Sequence, residues 1–115
     1  MTESEENKRR HFRIDYPKPD RPTLIFDNLK LEILDLAEKG VKFACEGKFK
    51  PKPGHPILGK IKFKDGKECA VAGIVLRFDS TRDLCVVTLT KGVPYPKMME
   101  EQLVIIRKYN QVDKK

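Results

Sequence analysis

The chain has 115 residues, of which 36% are charged and 39% hydrophobic, and its net charge is +7. This length predicts one domain with a single modest core, and no apolar run reaches the length of a membrane span. The first eight residues are acidic and polar and contain no apolar signal core, so we expect a cytoplasmic protein without membrane insertion. The positive charge indicates either an anionic partner or only a well-solvated surface, and composition does not choose between them.

The N-terminal region divides into three short segments. Residues 1–8 are expected to form a disordered tail, and residues 9–13 form a cationic arm with the sequence Arg-Arg-His-Phe-Arg. Three prolines between residues 17 and 22 disfavour helix and favour an extended connector. We expect the folded domain to span residues 9–110, and residues 111–115 to form a C-terminal tail.

Alternation of apolar and polar residues predicts strands between residues 23 and 90. Asp35 has the parity of Leu29, Leu31 and Ile33, and is therefore expected on the same face of its strand. Gly73 in the middle of a long strand predicts a bend or bulge of the kind that a curved barrel requires. The predicted strands are 23–26, 29–35, 41–45, 57–64, 68–79 and 84–90, with a loop at 46–56.

The apolar period becomes helical after Gly92 and Pro94, which predicts a C-terminal helix. Met99 is expected in the core and its neighbour Met98 to be incidental. The apolar residues at helical spacing are Met99, Leu103, Ile106 and Tyr109. About six antiparallel strands followed by one helix predict a mainly β fold, a small closed six-stranded antiparallel barrel.

Three cysteines, Cys45, Cys69 and Cys85, are widely spaced and include no Cys-x-x-Cys pair. Their odd number and their spacing disfavour a disulfide framework and a zinc site. We therefore expect three buried thiols in a reducing compartment, and no metal.

Two short motifs carry the chemistry that the sequence offers. Arg9 and Arg13 are four residues apart, roughly 13 Å in an extended arm, and their planar side chains suit phosphate oxygens and the edge of guanine. Asp35 can accept hydrogen bonds from guanine, and Gly40 permits a tight turn and close approach of a ligand. Each motif alone also has an ordinary interpretation, as a solvated tail or nonspecific polyanion contact and as a simple strand and turn.

Taken together, Arg9-x-x-x-Arg13 followed by Asp35-x-Ala37-x-x-Gly40 resembles the PilZ domain family over residues 8 to about 109. The resemblance implies a six-stranded antiparallel barrel that binds the bacterial second messenger cyclic di-GMP. It also implies that the two arginines grip phosphates and guanine edges, that Asp35 reads a guanine, and that Gly40 shapes the turn. Ala37 replaces the serine of many members and removes a hydroxyl donor, which is expected to weaken binding.

Three further cations complete the predicted ligand site. Lys8 precedes the first arginine, at a position that in the family helps to set whether one ligand or a stacked pair binds. With Arg10 also cationic, we favour the stacked pair, whose extra phosphates Arg10 and Arg77 would neutralise. Arg10 as a solvated cation and Arg77 as a surface charge remain equally open interpretations.

The sequence offers no Ser/His/Asp or Cys/His constellation, so we expect a receptor and not an enzyme. Our hypothesis is an adaptor whose N-terminal arm closes over cyclic di-GMP and changes the surface seen by a separate protein partner in motility, biofilm or virulence control. One alternative is a PilZ scaffold that has lost its ligand and acts only through protein contacts. Another is a basic barrel that binds nucleic acid nonspecifically, which the scarcity of aromatic stacking platforms disfavours.

Overall fold

The computed structural model describes residues 13–113. Lys8, Arg9 and Arg10 lie outside the described residues. Seven strands precede one long helix in the described part of the chain. The elements are β1 (Arg13–Asp15), β2 (Thr23–Phe26), β3 (Leu29–Ala37), β4 (Gly40–Ala44), β5 (Pro56–Lys62), β6 (Glu68–Asp79), β7 (Leu84–Lys91) and α1 (Tyr95–Asp113).

Strands β2 to β7 close into a six-stranded antiparallel barrel, as the sequence predicted. The ring runs β3, β2, β5, β6, β7 and β4, and β4 pairs back onto β3. Strand β1 lies outside this ring and pairs only with the second half of β3, along the edge that β2 occupies in the first half. A single 3-10 turn, Lys18–Asp20, interrupts the connector between β1 and β2.

A bulge in β3 decides which side of the barrel wall carries the functional side chains. The pairing of β3 with β4 shifts register between Ile33 and Asp35, and the buried residues change from Leu31 and Ile33 to Leu36. The expectation that Asp35 shares a face with Ile33 is therefore wrong, because the bulge turns Asp35 to the outer wall.

The core fills the ring from the inward faces of all six strands. On β6, Val71 and Val75 are buried, whereas Ile74 and Leu76 point outward and are about half exposed. The predicted irregularity at Gly73 is confirmed by a register shift between Ala72 and Gly73, and a Cβ at Gly73 would collide with the backbone of β7. All three cysteines are free thiols, but Cys69 is only partly buried, so the expectation of three buried thiols was wrong for that residue. Burial raises the pKa of Cys45 to about 11 and that of Cys85 to about 12.

Helix α1 packs on the barrel with a different face from the one that its apolar period predicted. Met98 is fully buried, with 0% exposure, and Met99 is only half-buried, so the expectation that Met99 lies in the core and that Met98 is incidental was wrong. The cause is a buried polar residue on the same face as Met98. The Tyr16 hydroxyl donates a hydrogen bond of 2.8 Å to Glu101 Oε1, which turns Leu103 outward.

A second set of contacts joins α1 to the rest of the molecule at both of its ends. Near the start, Lys97 Nζ lies 2.6 Å from Asp65 Oδ2 in the β5–β6 turn, and within the helix it lies 3.3 Å from Glu101 Oε2. Further along, Lys108 Nζ lies 2.8 Å from Asp20 Oδ1 in the 3-10 turn. Within residues 13–113, no helix combines the length and the hydrophobicity that spanning a bilayer requires.

Candidate functional site

Two rows of cross-strand neighbours on the outer barrel wall form the candidate site. In the first row each residue stands directly opposite the next, from β1 through β3, β4 and β7 to β6. The members of this row are Arg13, Ala37, Gly40, Thr88 and Ile74. Most of their side chains are small, so the row forms a shallow floor with a guanidinium at one end.

The second row carries most of the charge and lies two residues away on β1, β3, β4 and β7. On β6 it lies three residues away, because a bulge between Val75 and Arg77 adds one residue. Its members, in the same strand order, are Asp15, Asp35, Lys42, Val86 and Arg77. Because alternate residues of a strand share a face, both rows face outward together. The site therefore combines two carboxylates and three cations around the apolar floor.

The spacing of the second motif follows from this pairing. Asp35 and Ala37 are two residues apart, and so they lie side by side on one face of β3. A two-residue turn, residues 38–39, then reverses the chain and sets Gly40 opposite Ala37. The sequence Asp-x-Ala-x-x-Gly thus delivers a carboxylate and two small residues to one patch.

The rows enclose a cavity of about 120 Å³ that opens beside a larger groove of about 420 Å³. The two spaces share Arg13, Ala37, Gly40 and Val86. The residues that line the smaller cavity are Arg13, Asp35, Ala37, Gly40, Val41, Lys42, Arg77 and Val86. Five of the eight site residues expected from the sequence (Arg13, Asp35, Ala37, Gly40 and Arg77) therefore meet at one place, and the other three lie outside the described residues.

Gly40 leaves space in the groove, and the backbone conformation at this position does not require a glycine. It is absent from the glycines with positive φ, and a Cβ built on it would meet only the Val87 carbonyl oxygen, at an ordinary 3.7 Å. The expectation that Gly40 shapes the turn therefore has no support in the backbone conformation. A side chain at this position would occupy the space above the floor, where a ligand could approach the backbone closely.

Two charged residues of the site were not found from the sequence. Lys42 Nζ lies 3.2 Å from Asp35 Oδ2, and the two side chains are 30% and 14% exposed. Asp15 faces Asp35 from the other side. Hydrogen bonding to Asp35, burial and the repulsion between the carboxylates raise the pKa of Asp15, and the charges of Arg13 and Lys42 oppose that rise. Asp15 lies two residues after Arg13, and Lys42 lies two residues after Gly40. Strand alternation, counted from these motif residues, would therefore have predicted that both side chains face the site.

This arrangement suits a ligand that has both anionic groups and a planar part with hydrogen-bond donors. Arg13, Lys42 and Arg77 offer positive charge for phosphate or carboxylate oxygens. Asp35 offers an acceptor that is largely shielded from water, which favours a specific donor edge. Within residues 13–113, no group of three or more His, Cys, Asp or Glu side chains could hold a metal ion.

Comparison with solved structures shows the same barrel in other proteins. The Bacillus subtilis inhibitor of motility, MotI/DgrA, aligns with a TM-score of 0.59 at 11% identity over 85% of this chain and 50% of its own. This chain thus spans about half the length of that protein. The Legionella protein Lpg0364 aligns with a TM-score of 0.55 at 18% identity, over 90% of this chain and 99% of its own. These identities are low, so the two likenesses establish the fold alone.

The assignment of this chain to a family rests on a sequence match and not on these structural likenesses. No curated protein matches this chain in sequence. The model of the PilZ domain matches residues 7–109, a range that contains both motifs and every element from β1 to most of α1. The resemblance identified from the two motifs is therefore confirmed, and this chain belongs to the PilZ domain family.

Proposed function

We propose that this chain is a receptor for cyclic di-GMP and that it passes the signal to a separate protein. The observation that carries the proposal is the convergence of Arg13, Asp35, Ala37 and Gly40 on one cavity. These are four of the five residues of the two PilZ motifs. A scaffold that had lost its ligand would have no need to keep these four residues around one cavity.

Each side chain has a distinct role in the proposed complex. Asp35 accepts hydrogen bonds from the donor edge of a guanine, while Arg13 donates to a phosphate or to the acceptor edge of that base. Ala37 and Gly40 form the floor on which the ligand lies. Lys42 moves from Asp35 to a phosphate, which releases the carboxylate for the guanine.

The cationic arm completes the proposed site. Lys8, Arg9 and Arg10 add positive charge on the N-terminal side of Arg13, and Arg77 adds it on the side of β6. This amount of charge fits a stacked pair of cyclic di-GMP molecules better than a single molecule. Binding of the arm to the ligand is expected to change the surface that the barrel offers to its protein partner.

Calorimetric titration with cyclic di-GMP tests the proposal. Arg13→Ala and Asp35→Ala should each weaken binding by at least about tenfold, since each removes a charge-assisted hydrogen bond. The matched controls are Arg82→Ala in the β6–β7 turn and Asp27→Asn in the β2–β3 turn, both exposed, which should bind like the wild type. The fitted stoichiometry decides between one ligand and two.

Competition separates this proposal from nonspecific binding of nucleic acid. Single-stranded DNA and GTP should displace cyclic di-GMP poorly, and binding should depend only moderately on salt. Absence of binding by the wild type would refute the receptor proposal. It would favour the alternative of a PilZ scaffold that acts only through protein contacts. Amide exchange of residues 5–16 reports on the arm, and unchanged protection at saturating ligand would refute its closure.

A further inference from the structure

The outer wall of the barrel carries a second groove, on the side of the ring opposite the candidate site. In ring order, β2 and β5 stand across from β7 and β4, and this groove of about 390 Å³ lies over β2, β5 and the turn that follows β5. We call it the lysine groove, because the exposed Lys30, Lys62 and Lys64 line it together with Thr23 and Ile25. A ligand at the candidate site therefore leaves the lysine groove free.

Strand alternation directs these lysines outward and around an apolar residue. Lys62 and Lys64 flank Phe63, which is 2% exposed, so both point away from the core. Lys30 stands opposite the half-buried Ile25 on β2, and β2 separates it from β5, which carries Lys62. The groove therefore has ammonium groups on both sides and an apolar side chain between them.

The carboxylates around the lysine groove are already held by other cations. Glu68 stands directly opposite Lys62, but it lies 3.1 Å from Lys60 Nζ. Glu32 lies 3.2 Å from Arg21. In the adjoining turns, Asp20 is held by Lys108 and Asp65 by Lys97. In the part of the chain that the structure describes, none of the three groove lysines has an ion pair of its own, so the groove keeps an excess of positive charge.

An excess of positive charge beside an apolar side chain suits an anionic partner. We propose that the lysine groove binds an extended acidic segment of a partner protein. Alternate side chains of an extended segment lie about 7 Å apart on one face, and Lys62 and Lys64 are themselves alternate residues. Acidic residues at alternate positions can therefore each meet a lysine. This face is distinct from the proposed cyclic di-GMP site, and the proposal does not depend on a ligand there.

The lining of the groove favours a peptide over a nucleic acid. Within residues 13–113, the lining includes neither an arginine nor an exposed aromatic ring on which a base could stack, as single-stranded nucleic acid requires. Glu68 also lines the groove, and its carboxylate would repel a continuous phosphate backbone. A peptide can place a neutral residue beside Glu68 and keep its acidic residues for the lysines.

Fluorescence anisotropy with a labelled peptide of alternating glutamate and threonine tests the proposal. The wild type should bind this peptide at low salt with a dissociation constant on the order of 10–100 μM, as expected for a few exposed ion pairs. A peptide with glutamine in place of glutamate should bind at least about tenfold more weakly. A peptide of the same composition with its glutamates grouped at one end should bind about threefold more weakly, because only alternate acids match the spacing of the lysines.

Lysine variants then locate the binding site. The groove variant, Lys30→Gln with Lys62→Gln and Lys64→Gln, should bind the alternating peptide at least about tenfold more weakly, the combined effect of three exposed contacts. The matched control is Lys48→Gln with Lys50→Gln and Lys52→Gln. These exposed loop lysines also occupy alternate positions, and their loss lowers the net charge equally, but peptide binding should stay within about twofold of the wild type.

A second variant and a second titration check the fold. Arginine in place of all three groove lysines keeps the charge and should keep peptide binding. Thermal melts and cyclic di-GMP titrations of the groove variant should match those of the wild type, because its substitutions are exposed and lie on the other side of the ring. Failure of this proposal and failure of the receptor proposal are therefore separate observations.

Any of three results would overturn the proposal. The first is a wild type that does not bind the alternating peptide. The second is an equal loss of peptide binding in the groove variant and in its matched control, which would show that binding follows net charge alone. The third is single-stranded oligothymidylate that binds more tightly than the peptide and is lost in the groove variant, which would assign the lysine groove to nucleic acid.

Discussion

Lys42 Nζ lies 3.2 Å from Asp35 Oδ2, within the cavity that both residues line. The carboxylate assigned to reading a guanine is therefore already engaged by a cation of its own chain. A ligand with donors for Asp35 and a phosphate for Lys42 can replace this ion pair with two new interactions. A ligand with only one of these groups leaves one charge without its partner, which is costly at a site partly shielded from water.

Lys42→Gln should weaken the binding of cyclic di-GMP by about three- to tenfold, the size of one charge-assisted contact. Lys42→Arg should bind nearly as well as the wild type because the charge is kept. Calorimetry at several salt concentrations measures both effects, and the glutamine variant should also show a weaker salt dependence. Lys30→Gln, an exposed lysine at a different groove, is the matched control. Tighter binding by Lys42→Gln would show that Lys42 only competes for Asp35.

Gly40→Ala should leave the stability of the barrel within about 0.5 kcal/mol of the wild type, because its Cβ meets only an ordinary contact at 3.7 Å. The same variant should bind cyclic di-GMP at least about tenfold more weakly, since the methyl group takes up space above the floor. Urea denaturation and calorimetry measure the two quantities separately.

The comparison variant for this prediction is Gly73→Ala, where a Cβ would collide with the β7 backbone. This variant should lose stability by about 1–3 kcal/mol. A Gly40→Ala variant that binds normally would contradict the assignment of this glycine to the ligand.

Asp15→Asn should make the protein more stable at about pH 7 than the wild type. The facing Asp35 raises the pKa of Asp15 above 3.8, so the folded wild type loses stability as the pH rises through that raised pKa. Asparagine has no charge to repel Asp35, and the advantage of the variant should shrink as the pH falls to about 3.8.

Thermal melts across this pH range, together with amide exchange of β1, check the prediction. The matched variant Asp27→Asn lies in an exposed turn and faces no such carboxylate pair. A variant Asp15→Asn that is less stable than the wild type at neutral pH would show that Asp15 serves mainly as a partner of Arg13 or Lys42.

Tyr16→Phe should lower the free energy of unfolding by about 1–3 kcal/mol, because it removes a donor from the buried Glu101 carboxylate. Burial and the Glu101 charge raise the pKa of the Tyr16 hydroxyl, so this donor is kept throughout the usual pH range. Urea denaturation measures the loss. Tyr95→Phe removes a hydroxyl from an exposed tyrosine at the start of the same helix and should be neutral.

The sequence predicted the barrel well because strand alternation is a local property. Strand β6 (Glu68–Asp79) was predicted with its observed bounds, and its long alternation made the assignment secure. The side of β3 on which Asp35 lies was missed, because the bulge after Ile33 depends on the pairing of β3 with β4. The face of α1 was missed for a related reason. Counting apolar residues gives no weight to a glutamate, yet the buried Glu101 sets the orientation of that helix.

The site was partly predictable for the same reasons. Motif spacing predicted Arg13, Asp35, Ala37 and Gly40 as members of one site because family members share that spacing, and these four residues line one cavity. Lys42 belongs to no motif, and only the observed strand register brings it beside Asp35. Arg77 was expected from the end of its strand, and a bulge between Val75 and Arg77 directs it toward Val86 and the cavity.

The two rows of the site draw their residues from five strands spread over most of the chain, from Arg13 on β1 to Thr88 on β7. No fragment of the chain contains a complete row, and a barrel that is still open at the β3–β4 seam cannot align one. Whatever binds there must therefore select fully assembled molecules from partly folded ones. By mass action, a bound ligand stabilises the whole ring, and this stabilisation grows with the logarithm of the ligand concentration once that exceeds the dissociation constant. A cell that raises the concentration of such a ligand would also lengthen the lifetime of its receptor against proteolysis.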